Sequence, residues 1–172
     1  MTDFVNTKAK AFGWVIHRKL IAPGETYRAS VLEDTLPKDS ENITLWTKGH
    51  LVGTREDGYI PPPRRAGDFS LERQMMPKGV YTFTALEASE WWCINWRANR
   101  HALPAVLPLR LAAGEQRALR ASTLLLVCSG ALETQSGELG PGTEVVVGAA
   151  GATVRASRAG PVFGLFFEKE RS

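Results

Sequence analysis

The chain has 172 residues, 44% of them hydrophobic and 23% charged, the make-up of an ordinary globular protein of one good-sized domain or two compact ones. Its apolar stretches fall far short of the roughly 20 residues a membrane span needs, so a membrane is excluded as partner. The formal charge of +3 is too mild to argue for nucleic acid.

The first residues, Met1 to Gly13, carry Asp3 and no apolar run, so no secretory signal is read there. The expected location is a cytoplasm, or a particle assembled in one. A short helix is the reading for Val5–Phe12. Elsewhere sixteen glycines and ten prolines interrupt every window long enough for a helix. Strands are read over Val15–Leu20, Thr26–Val31, Asn42–Trp46, His50–Arg55, Asp68–Met75, Val80–Ala85 and Trp91–Trp96. Alternation supports several of them, with Ile43 and Leu45 on one face, and Tyr81, Phe83 and Ala85 on another. Turns are marked by Pro23-Gly24, Lys48-Gly49, Ala66-Gly67, Lys78-Gly79 and the hairpin signal Asp57-Gly58. Tyr59 to Arg65 (YIPPPRR) is too rich in proline for a central strand.

Residues 98–104 are polar and basic without a strand pattern, and read as a linker or crossover between two units, 1–97 and 105–172. The second unit repeats the style of the first. Its strands fall at Val106–Ala112, Ser122–Val127, Ala131–Thr134, Glu144–Gly148, Thr153–Ala156 and Val162–Glu168, separated by Ser-Gly and Pro-Gly turns. Short strands at regular spacing are the pattern of small antiparallel barrels.

Few residues suggest chemistry. Cys93 and Cys128 each sit inside an apolar run, far apart and with no CxxC, and read as small buried hydrophobes. There is no Gly-x-Ser-x-Gly elbow. The three histidines, His17, His50 and His101, are single and widely spaced. Trp91, Trp92 and Trp96 form the heaviest cluster. In a strand, Trp92 and Trp96 share one face and Trp91 the other. That arrangement suits either a stacking platform for sugar or base rings, or a packing strand buried on both sides. Arginines gather at positions 64, 65, 97, 100, 110, 117 and 120, interleaved with Asp68, Glu72 and Glu115. Such residues suit a subunit contact or an anionic ligand.

The order of turns and strands resembles the cupin superfamily, the small jelly-roll barrels. The first half is similar to a cupin found repeatedly in tailed-phage genomes. The matching parts are Ala22-Pro23-Gly24-Glu25-Thr26, Glu41 to Trp46, the Lys48-Gly49 turn, Glu56-Asp57-Gly58, Met76 to Val80, and Thr84 to Trp92. The second half looks like a degenerate cupin, with Gly114-Glu115, Val127 to Gly130 and Leu139 to Thr143 in cupin-like order. The resemblance implies an all-β chain of two tandem cupin-like jelly rolls, a bicupin with little helix. Metal-bearing cupins supply two histidines one residue apart, a carboxylate, and a third histidine on a later strand. The corresponding stretches here, LEDTLPKDSEN and EQRALRAST, contain no histidine. The expectation is therefore no metal and no cofactor.

The reading is a non-catalytic, metal-free binding or assembly protein. The resemblance implies a phage virion component, a decoration or tail-associated subunit located in the host cytoplasm or the virion. Its partners would be copies of itself or other virion proteins. The binding residues expected are Trp91, Trp92, Trp96, Arg64, Arg65, Arg97 and Arg100. The alternative is a cupin enzyme or sensor acting on a carbohydrate or other small molecule, with His50, Tyr81 and Glu72 as the site. An assembly protein should have filled barrels, an enzyme a polar interior with a perturbed titratable group, and a sensor a roomy apolar cavity.

Overall fold

A computed structural model describes residues 4–6, 14–31, 40–71, 77–97 and 105–168. Among the described residues every regular element is a strand. The chain forms two compact units, one built between Gly13 and Leu103, the other between Pro104 and Ser172 together with the N-terminal stretch.

The first unit holds β2 (Trp14–Ile21), β3 (Thr26–Val31), β4 (Ser40–Lys48), β5 (His50–Arg55), β6 (Arg64–Arg65), β7 (Phe69–Leu71), β8 (Gly79–Ala85) and β9 (Ser89–Arg97). They pair antiparallel into two four-stranded sheets, β2-β9-β4-β7 and β3-β8-β5-β6. The second unit holds β10 (Ala105–Leu111), β11 (Gln116–Leu119), β12 (Leu124–Ser129), β13 (Leu132–Thr134), β14 (Gly137–Leu139), β15 (Glu144–Val147), β16 (Ala152–Ala156) and β17 (Val162–Glu168). Its sheets run β10-β17-β12-β15 and β11-β16-β13-β14. Counted from the start of each unit, both have the order 1-8-3-6 over 2-7-4-5, which is a jelly roll. The all-β, two-barrel architecture expected from the sequence is the one observed.

The N-terminal stretch differs from the expectation. Phe4–Asn6 is a strand, β1, in place of the helix read there, and it pairs with β15, Phe4 opposite Val147. It therefore extends a sheet of the second unit, although the sequence reading placed it in the first. The rest of that helix reading, and the 98–104 linker, lie outside the described residues. Strands β6, β11 and β14 were not expected. β6 lies at the edge of its sheet, where a strand preceded by prolines is tolerated.

The two units repeat each other down to their turns. In the first, Gly24 N–H donates to the Ala85 carbonyl (2.7 Å) and Ala85 N–H to the Glu25 carbonyl (3.0 Å); in the second, Gly114 donates to Ala156 (3.0 Å) and Ala156 to Glu115 (2.8 Å). Glu25 and Glu115 each accept the amide three residues back, at 2.7 and 2.8 Å. A second turn repeats likewise. Trp46 N–H donates to the Asp68 carbonyl (2.9 Å) and Gly67 N–H to the Trp46 carbonyl (2.7 Å), as Val127 does to Thr143 (3.0 Å) and Gly142 to Val127 (2.8 Å). These shared bonds put the units in register residue by residue: Trp46 corresponds to Val127, Ala85 to Ala156.

One glycine is demanded by its surroundings. Gly49, at φ 88° in the Lys48-Gly49 turn, lies where a Cβ would collide with the Ser89 side chain and the Ala88 carbonyl, so the β4–β5 turn accepts no side chain.

Candidate functional site

The interior of the second barrel is a continuous aliphatic and aromatic core. Leu109, Leu111, Leu119, Leu125, Val127, Leu132, Val145, Val147, Val154, Ala156, Val162 and Phe166 are all buried in one cluster, with Leu139 packed against it. Each strand from β10 to β17 sends apolar groups to the same centre, as a close-packed jelly roll requires.

The first barrel's interior is different. Tyr27 on β3 meets Trp91 on β9 edge-on, ring centroids 5.2 Å apart. Trp46, Leu51, Ala85 and Trp91 form a buried cluster with Ile21, Tyr27 and Cys93 against it. These contacts identify the inner face: Trp91 and Cys93 on β9, Thr44 and Trp46 on β4, Ser70 on β7, Leu51 on β5, Tyr81, Phe83 and Ala85 on β8. The register between the units gives each inner residue its counterpart. Thr44 pairs with Cys93 and Ser70, as Leu125 pairs with Phe166 and Val145. Leu51 pairs with Arg64, as Leu132 pairs with Leu139. So four positions that are Leu125, Val145, Phe166 and Leu139 in the second core are Thr44, Ser70, Cys93 and Arg64 in the first.

Arg64 is the notable member of the set. It retains only 6% of its exposure, its guanidinium lies 5.0 Å from the Trp46 ring centroid, and its buried Nε–H has no hydrogen-bond partner. Burial lowers its proton affinity, opposed by the charges of Asp68 and Tyr59. Asp68 is not its ion-pair partner: Oδ2 of Asp68 accepts the Arg65 amide at 2.7 Å. Arg65, the next residue on β6, is exposed. Thr44 Oγ1 lies 3.7 Å from the Cys93 sulfur, and Tyr81 donates its hydroxyl to the Pro77 carbonyl at 2.5 Å.

The outer face of the same sheet holds Glu90, Trp92, Ile94, Ile43 and Leu45, all buried. Glu90 accepts from Arg18 (2.7 Å), Thr47 (2.8 Å) and the Trp92 indole (3.2 Å). A bulge between Trp46 and Lys48 accompanies the Thr47 contact. Burial pushes the Glu90 carboxyl up, but these three bonds outweigh it and hold the group below its usual range.

The expected binding residues separate. Trp91 and Trp92 are buried on opposite faces, at 4% and 7% exposure, so they form no shared stacking platform; packing is their role. The side chains of Trp96 and Arg97, and the whole of Arg100 and Glu72, lie outside the described residues. His50 does not meet Tyr81. Alternation along β5 turns His50 away from Leu51 and the inner face on which Tyr81 lies, and its buried Nε2 has no partner. Neither Cys93 nor Cys128 is in a disulfide. Among the described residues no three of His, Cys, Asp and Glu come together as metal ligands. The described donors of the first barrel's inner face are hydroxyls, one thiol, the Arg64 guanidinium and, on the edge strand β2, the exposed His17 and Lys19 opposite Cys93 and Trp91. A single imidazole with no cluster of further ligands among the described residues does not fit a cupin metal. Among the described residues no helix is long and apolar enough to cross a membrane.

Solved structures share this architecture. Bacterial pirin YhhW of Escherichia coli, in complex with nickel(II), is 12% identical and aligns over 95% of this chain and 86% of its own, with a TM-score of 0.56. A conserved protein of unknown function from Pseudomonas aeruginosa is 18% identical over 96% of this chain and 86% of its own, TM-score 0.55. Protein YlbA of E. coli is 10% identical over 98% and 83%, TM-score 0.56. The fold they share with this chain is a pair of tandem jelly-roll barrels. At these identities the likeness concerns the fold alone. No family model matches the sequence, and no curated protein matches it.

Proposed function

We propose that this is a metal-free, non-catalytic cupin that works by binding a small molecule in its first barrel, while the second barrel is a solid scaffold. One observation carries the reading: the exchange of Leu125, Val145, Phe166 and Leu139 in one core for Thr44, Ser70, Cys93 and Arg64 in the other. A barrel whose inner face is polar at positions its twin fills with hydrocarbon is built to meet something polar.

Proton affinities favour binding over acid–base catalysis. Besides Arg64 and Glu90, the clearly shifted groups among the described residues are Arg55 at the end of β5 and Asp57 on the turn that follows. They hold each other bidentately at 2.7 and 2.6 Å, Arg55 raised and Asp57 lowered to about 2. Asp57, Glu90 and Arg55 are thereby held in their charged forms, and a guanidinium does not exchange protons near neutral pH. None is tuned as a general acid or base should be. The narrower reading, a decoration or tail-associated subunit of a phage virion, rests on the sequence resemblance.

The metal-free part is tested by loading. Purified protein equilibrated with nickel(II), zinc(II), iron(II) or manganese(II), then freed of excess, should retain well under one ion per chain by elemental analysis on the monodisperse peak. Retention of one ion per chain would contradict it.

A further inference from the structure

Arg64 stands where the twin barrel has Leu139, opposite Leu51 as Leu139 is opposite Leu132. A core position has thus been given a permanent charge, and among the described residues no carboxylate forms an ion pair with it. Among the described residues, the Arg64 side chain makes no hydrogen bond or ion pair; the Trp46 ring lies beside it, and Asp68 acts on it only through its charge. A buried guanidinium with unspent donors is strongly unfavourable until something supplies acceptors and negative charge.

From this we propose that Arg64 is an anion-binding residue and that its ligand is a small organic monocarboxylate, held by the fork that Nε–H makes with a terminal N–H of the guanidinium. The inference rests on the reading of the first barrel as the binding unit. Three features select that chemistry. The orphaned donor is Nε, the side of the guanidinium that binds a carboxylate through two parallel bonds. The guanidinium is buried with the Trp46 ring 5.0 Å away, so little side-chain freedom remains to be lost on binding. Among the described residues the buried positive charge is single: Arg65 and Lys19 are exposed, and Arg55 is taken by Asp57. One positive charge offsets a carboxylate and leaves a phosphate dianion half-neutralised.

Benzoate, its neutral isostere benzamide, and inorganic phosphate distinguish the possibilities, titrated by calorimetry and by NMR of arginine side-chain Nε–H groups at constant ionic strength. The Arg64 resonance is assigned by its absence in Arg64→Lys, which keeps the charge and removes the fork. Benzoate should bind one per chain, displace the Arg64 Nε–H resonance, and lose at least about tenfold in affinity in Arg64→Lys. Benzamide and phosphate should bind far more weakly. The proposal is overturned if benzoate leaves the Arg64 resonance unmoved, if benzamide or phosphate binds as well, or if Arg64→Lys binds benzoate unchanged. Benzamide binding on the inner face without Arg64 would sink the carboxylate assignment and leave the binding-barrel reading standing. The wild-type NMR titration is decisive even if the variant folds poorly.

Discussion

Leu125→Ala should destabilise the protein by about 2–5 kcal/mol, lowering the melting temperature by several degrees. Leu125 has no exposed surface and sits at the centre of the second barrel's core, where Val145 and Phe166 flank it across the sheet. Truncation there leaves a cavity lined by groups that are themselves fixed by two sheets, so little of the lost contact is recovered by collapse. Thermal or urea unfolding measures it. A loss below about 1 kcal/mol would mean that the core has slack, and the description of the second barrel as a solid scaffold would be wrong.

The opposite sign is expected at Arg64. Arg64→Leu installs the residue that the twin barrel carries at this position, and should stabilise the ligand-free protein by about 1–3 kcal/mol. Removing an unpaired buried charge relieves its desolvation. Leucine restores hydrocarbon against Trp46 and Leu51, neighbours already apolar. The same variant should lose carboxylate binding. Stability gained as binding is lost is the behaviour of a residue kept for function. If Arg64→Leu instead destabilises the protein by a similar amount, the guanidinium is a structural element and the ligand assignment fails with it.

Much of the architecture was legible in the chain. Strands β3, β5 and β17 begin and end where the sequence reading put them, because turn glycines and prolines bracket alternating or apolar runs. The Gly-Glu pairs at 24–25 and 114–115 are visible in the chain, and their hydrogen bonds place them at equivalent turns of the two units. β1 was missed because its partner strand, Glu144–Val147, lies near the other end of the chain, and no local pattern announces such a pairing. β11 was missed because Gln116 to Ala118 are exposed, so the alternation that reveals a half-buried strand is absent.

The site was harder for a related reason. Arg64 was one of seven gathered arginines, and nothing local separates it from Arg65. Burial separates them: along a strand, adjacent residues face opposite ways, and β6 turns Arg64 in and Arg65 out. Nor did the sequence align Thr44, Ser70 and Cys93 with Leu125, Val145 and Phe166. That correspondence emerges from cross-strand register, which depends on which strands pair and at what offset. The faces of Trp91 and Trp92 were legible from strand alternation; that both faces are buried emerges only from the packing of the sheet.

The most direct test of a binding barrel beside a solid one is a map of backbone amide shifts on the isotope-labelled protein as benzoate is added. The account predicts that the moving resonances belong to the first barrel's inner strands, with Thr44, Ser70, Cys93 and Arg64 among them, while Leu125, Val145 and Phe166 stay in place. Shifts centred on the second barrel, or a spectrum that does not respond, would contradict it.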